Sequence, residues 1–273
     1  VRQSKASVIQ NDIRLKAISK LDDTRRNLIQ RVIAAGGSAE CDQSGRLERI
    51  SLSRSFLRSA NVDDDWFRSF LIPDPINLLD LAGAPIGDRC INSLVGSSIR
   101  KLNLADTQVT DNCVEFFGQI SGLEELNLME TGISDAGLRH IGSCRSLRIL
   151  YLARTRVSDT GTKFVTALHG LTDLMLMDTA ITDIGVKELG VLHNLEELGL
   201  GRTHIGDAVV PMLQRLPRLR HLSVNGTHLT DAGLLGLAKI QSLEVVELGG
   251  TRTTHKGRDE FRRLRPTVRL DCS

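Results

Sequence analysis

The side chains with the most chemical potential in this sequence are carboxylates at a fixed interval. Asp111, Asp135, Asp159, Asp183, Asp207 and Asp231 each lie 24 residues after the last. Convergent carboxylates can carry general acid–base chemistry. These follow a constant local pattern instead: Val109-Thr110-Asp111, Ile181-Thr182-Asp183, Leu229-Thr230-Asp231. Serine and threonine are good helix N-caps, and an aspartate in the first turn meets the positive end of the helix dipole. A carboxylate that recurs once per period in this setting is expected to cap helices rather than to catalyse.

Imidazoles and thiols are the next candidates. His204 and His228 hold the same place in adjacent periods, and His221 faces out from the neighbouring strand, so three rings could approach one metal ion. Solvated loop histidines are the reading adopted. Cys90 and Cys113 share a register too, where other periods carry glycine. A disulfide or metal pair is conceivable there, but small buried thiols are expected; Cys144 falls on an apolar position and reads as core. Nucleotide-binding P-loop, G-x-S-x-G, H-E-x-x-H and calcium-loop patterns are all missing from the sequence. No enzyme activity, cofactor or metal site is expected.

The elements that carry these residues come from one repeated phrase. Its clearest copy is Leu123-Glu124-Glu125-Leu126-Asn127-Leu128-Met129-Glu130-Thr131-Gly132-Ile133-Ser134-Asp135. It returns at Leu147, Leu171, Leu195 and Leu219, each 24 residues after the last. Inside each copy, alternation predicts a short strand with Leu126 and Leu128 inward and Glu125, Asn127 and Met129 outward. A buried threonine is expected to satisfy backbone groups where the chain leaves the strand (Thr107, Thr131, Thr155, Thr179, Thr203, Thr227, Thr251). A short helix follows, burying residues such as Leu138 and Ile141. Gly137, Gly161, Gly185, Gly233 and Gly257 in its first turn are expected to let neighbouring helices approach.

A frame L-x-x-L-x-L with a period in the twenties marks a stacked-coil solenoid. The full pattern L-x-x-L-x-L-x-x-T-x-I-T-D-x-G-L resembles the leucine-rich-repeat family over about residues 47–270. It is similar both to repeats abundant in large bacterial chains and to the cysteine-type repeats of ubiquitin-ligase adaptors. The resemblance implies an α/β fold: a right-handed curved solenoid with a parallel β ribbon on its concave face and short helices on its convex face. It also implies a non-catalytic protein-interaction scaffold. The ligase adaptors carry a separate helical docking module, of which residues 1–35 show no counterpart. A regulatory or targeting domain of a larger enzyme is the other alternative.

Residues 1–46 are expected to form a helical leader and N-terminal cap, 47–270 a solenoid of about nine coils, and 271–273 a tail. In the leader, Ile9, Ile13, Ala17 and Leu21 fall at near-helical spacing. A capped helix is predicted over about 24–35, with Leu28, Ile29, Val32 and Ile33 on one face and Gly36-Gly37 ending it. Two strands around Gln43-Ser44-Gly45 follow. The first coil is irregular, with an insertion near Phe56–Ala60 and helix-breaking Pro73 and Pro75.

Composition narrows the partner. The chain has 273 residues, 41% apolar, with 35 Lys and Arg against 33 Asp and Glu and only 3% aromatics. Near-neutral charge and few stacking rings argue against a nucleic-acid binder. No run of 18 apolar residues exists to span a membrane, and no secretory signal is readable. Five scattered cysteines, an odd number without C-x-x-C spacing, favour a reducing, cytoplasmic compartment. The chain opens on Val1 rather than Met, so it is expected to be processed or to lack upstream sequence.

A protein or peptide partner is therefore expected, on the outward side of the strands. Met129, Ile149, Tyr151, Met175 and Met177 put apolar side chains where a solvated surface would be polar, and methionine and tyrosine suit adaptable contacts. Beside them runs a column of alternating charge: Asp106, Glu130, Arg154, Asp178, Arg202. A basic loop edge (Arg154, Arg156, Arg202, His204, His228, Arg252) is a second candidate, for an acidic partner, though Asp178 and Ala180 interrupt it.

Overall fold

The computed structural model describes residues 22–52, 63–67, 72 and 75–273. The leader over 1–21 and the insertion near 56–60 lie outside them. Asp22 caps the first helix, α1 (Asp23–Ala34), by accepting the Arg25 N–H at 2.9 Å, and Gly36 ends it with φ +88°. Leu28, Ile29 and Val32 are buried as expected; Ile33 is not, and stands 55% exposed. A helix lying flat on a hairpin buries a narrower stripe than four apolar residues cover. Strands β1 (Ser38–Cys41) and β2 (Leu47–Ser51) form that hairpin, antiparallel, with Gly45 at φ +82° in its turn.

From β2 onward every pairing is parallel and sequential. The strands are β3 (Ile76–Asp80), β4 (Ile99–Asn103), β5 (Glu125–Asn127), β6 (Ile149–Tyr151), β7 (Asp173–Met175), β8 (Glu197–Gly199), β9 (His221–Ser223), β10 (Val245–Glu247) and β11 (Arg269–Asp271). Register is uniform: Leu102, Leu126, Leu150, Leu174, Leu198, Leu222 and Val246 stand one above the next, all buried. Between strands run short helices: α2 (Asp64–Phe67), α3 (Asp88–Asn92), a 3-10 segment (Asp111–Gln119), α4 (Asp135–Ile141), α5 (Asp159–Val165), α6 (Asp183–Glu188), α7 (Val210–Leu213), α8 (Asp231–Leu237) and α9 (His255–Leu264). Paired strands sit about 4.8 Å apart and packed helices about 8–10 Å apart, so the open sheet forms the inner curve. The interior is one continuous apolar cluster running the length of the stack.

The threonine column does what its position predicts. Each hydroxyl from Thr107 to Thr251 donates to the carbonyl three residues back, for example Thr131 to Leu128 and Thr203 to Leu200, both at 2.6 Å. That carbonyl has left the strand ladder and, except at Leu248, which also accepts the Thr251 N–H, would otherwise be buried unpaired.

The aspartates do more than cap. Thr182 caps its own helix by accepting the Ile184 N–H at 3.2 Å. Asp159, one coil earlier, reaches forward to it: Oδ1 accepts the Thr182 N–H at 2.8 Å and Oδ2 its hydroxyl at 2.6 Å. The same link joins Asp88 to Thr110, Asp111 to Ser134, Asp135 to Ser158, Asp207 to Thr230 and Asp231 to Thr254. Asp64 and Asp183 make the backbone half of it, to Gly87 and Gly206. The glycines follow from this ladder. A Cβ at Gly137, Gly161, Gly185, Gly233 or Gly257 would run into the carboxylate of the preceding coil. The expectation that these glycines let helices approach is thus refined: the room is for a carboxylate.

Candidate partner-binding face

Strand alternation leaves three outward columns on the sheet, and the five apolar residues singled out by sequence meet at their centre. Ile149 and Tyr151 lie on β6 and Met175 on β7, while Met129 and Met177 follow β5 and β7; all five are half-buried. Tyr151 pairs in register with Asn127 on one side and Met175 on the other. The next strand carries Gly199, with Gly201 just beyond it, both without side chains to project. The two methionine tails lie across that gap: a Cβ at Gly199 would come within 2.6 Å of the Met175 sulfur and 2.5 Å of the Met177 sulfur. The result is a shallow apolar floor of flexible, polarisable side chains beside one rigid ring.

The charged column sits where the chain turns off the strand. Asp106, Glu130, Arg154, Asp178 and Arg202 all have positive φ, between 53° and 58°. Gly83, Gly226 and Gly250 hold the equivalent places toward the two ends, with φ from 66° to 69°. This conformation costs a non-glycine residue about 1 kcal/mol. The central coils therefore carry charge where glycine would be easier. The charges pair along the stack: Arg154 Nη1 meets Glu130 at 2.6 Å, Arg154 Nε meets Asp178 at 3.4 Å, and Arg202 grips both Asp178 oxygens at 2.5 and 2.6 Å. The Arg202 fork, and then Arg154, hold the Asp178 carboxyl below its usual range. Substituting Asp178 separates strain from charge. Asp178→Gly and Asp178→Ala both lose the ion pairs, yet the alanine variant is expected to be less stable by about 1 kcal/mol. Urea unfolding of the two side by side checks it, and equal midpoints would refute the strain.

Of the column on the other flank, sequence reasoning picked out Glu125, Ile149 and His221 but missed Lys101, Asp173 and Glu197. Lys101, Glu125, Ile149, Asp173, Glu197 and His221 are in register on β4 to β9. Glu125 pairs with Lys101 at 2.9 Å, and His221 with Glu247 at 3.0 Å. The Tyr151 hydroxyl is pushed up, first by burial and then by Glu125, Asp173 and Glu197. Asp173 and Glu197 stand two residues before Met175 and Gly199, so strand alternation alone would have found them.

Of the remaining candidates, the loop-edge residues share one register along the stack, and Cys90 lies near Cys113. Arg156, His204, His228 and Arg252 are exposed along the loop edge, with exposed Ala180 in their line. His221 engages Glu247 rather than His204 or His228. Among the described residues, no group of three or more His, Cys, Asp and Glu is placed to hold a metal ion. Cys90, Cys113 and Cys144 are buried free thiols. Burial raises all three, that of Cys144 to about 11, and the neighbouring Asp64 and Asp88 add to the rise at Cys90 and Cys113. No described helix is long and apolar enough to cross a membrane.

An open parallel ribbon faced by short helices defines the class as an α/β repeat solenoid. A sequence profile described as Leucine Rich repeat matches residues 123–142 and 216–238. Among solved structures, internalin C2 from Listeria monocytogenes is similar in fold, with a TM-score of 0.57 at 20% identity, over 90% of this chain and 92% of that one. None of the curated proteins matches the sequence. The 24-residue period runs through both matched segments, and the chain folds as a leucine-rich-repeat solenoid.

Proposed function

We propose that this chain is a non-catalytic scaffold that binds a protein or peptide partner on its concave face, centred on Tyr151, Met175 and Met177, with Met129 and Ile149 beside them. Glu130, Arg154, Asp178 and Arg202 form the rim on one side. The observation that carries the reading is the apolar floor over Gly199. Neighbouring coils carry polar residues at the same outward positions, such as Asn103, Asn127 and Ser223. The rim adds to it, because residues held in an unfavourable backbone conformation cluster where a surface is used. A ring and two adaptable thioethers ringed by polar groups match the make-up of interface hot spots.

The double variant Tyr151→Glu, Met175→Glu tests this. Both side chains face outward, so the fold should keep its thermal midpoint within a few degrees while affinity capture of the wild-type partner is lost. Undiminished capture by the variant would remove this face from consideration.

A further inference from the structure

Resting on that reading, we propose the chemistry of the partner: a segment presenting a lysine or arginine between apolar residues, its cation held by Asp173 and Glu197 and its apolar neighbours on Tyr151 and Met175.

The argument is one of charge complementarity around an apolar floor. The rim beyond Met177 is already neutralised, each charge from Glu130 to Arg202 having an opposite neighbour within 3.4 Å. Asp173 and Glu197 differ. They are directly opposed on β7 and β8, both half-buried, and neither forms an ion pair within the described residues. Asp173 accepts the Thr172 hydroxyl, which leaves its charge in place. Like charges in direct cross-strand register are unfavourable. The basic residues nearest along the column are engaged, Lys101 by Glu125 and His221 by Glu247.

Both carboxylates act on the Tyr151 phenol, so the negative field lies over the apolar floor rather than apart from it. A partner's cation placed between them would relieve their repulsion and could lie against the ring, where aromatic faces attract ammonium and guanidinium groups. A guanidinium can meet two carboxylates at once through its fork of donors. Acidic or uniformly apolar segments gain none of this.

The probe is a phage-displayed random 12-residue peptide library, selected against the full chain, against Asp173→Asn/Glu197→Gln, and against Tyr151→Glu/Met175→Glu. The wild-type chain should enrich sequences with Lys or Arg beside Leu, Ile, Val or aromatic residues. Their affinity should fall about tenfold on the amide variant, the loss expected for one charge pair. That variant should fold with an unchanged or higher thermal midpoint, because the repulsion is gone, and should enrich apolar peptides without a basic preference. Loss of enrichment on the Tyr151/Met175 variant supports the concave site itself. Enrichment that survives there would overturn both proposals. A wild-type preference without basic residues, the same basic preference on the amide variant, or no enrichment over bare matrix would overturn the partner chemistry, and the first two of these would leave the concave site standing.

Discussion

Gly137→Ala is expected to destabilise the protein by about 2 kcal/mol, the cost of overpacking a filled site. Helix propensity alone predicts the opposite sign, since alanine is favoured over glycine in a helix by about 1 kcal/mol. Gly137 lies in the first turn of α4, where a methyl group would collide with Asp111 Oδ1 and press on Ile133 at 3.2 Å and Val114 at 3.3 Å. Asp111 has little freedom to retreat, because its two oxygens hold the Ser134 N–H and hydroxyl. Asp111→Ala strips those donors of a charged acceptor and should cost about 2 kcal/mol by itself. The two losses should not add. Without the carboxylate the alanine methyl has space, and the double variant should lie at or above the stability of Asp111→Ala, apart from the small residual pressure from Ile133 and Val114. Chemical denaturation of the four members of the cycle measures the coupling. Simple additivity would show that the glycine is kept for some reason other than the ladder.

Arg265→Ala should cost about 3 kcal/mol, concentrated at the C-terminal end of the stack. Its guanidinium donates to four carbonyls of the previous coil: Ala238 at 3.0 Å, Ile240 at 2.5 Å, Gln241 at 3.1 Å and Leu243 at 3.2 Å. These carbonyls follow α8, where the helix dipole is negative, and only that of Ile240 also accepts a backbone N–H, from Leu243 at 3.4 Å. Charge-assisted bonds are worth about 1.5–3 kcal/mol, and removing the arginine leaves several acceptors unmet together. Coils of a solenoid contact only their neighbours. Loss should therefore appear as early amide exchange in α9 and β11, with the central strands protected as before. Arg265→Lys should not restore protection, because one ammonium cannot span the fork. Uniform loss of protection across the stack would contradict a local anchor.

Much of the fold was legible because strand and helix periods are local. Leu126 must face inward if Glu125 and Asn127 face outward, and Thr131 must be buried if it follows Leu128 by three residues. The opening pair of strands and the turn at Gly45 follow from the same local rules. Ile33 shows the limit: its helix was placed correctly, and only the surface beneath decided how wide a stripe it buries. The site was legible in part. Outward methionines on neighbouring coils could be counted, but nothing in their spacing showed both sulfurs folding over the vacancy at Gly199.

The sequence by itself determined the period, the inward and outward sides of each strand, and which residues share a column. Those depend on bond geometry and on the exclusion of apolar side chains from water, which act over a few residues. Tertiary structure alone decided what each column does. Asp159 serves the next coil more than its own helix, Arg154 is consumed by Glu130 and Arg202 by Asp178, and Asp173 faces Glu197 with no counter-charge. These outcomes turn on whether side chains about two dozen residues apart come within 3 Å, and at that range a rotamer or a few tenths of an ångström of strand stagger settles the partner.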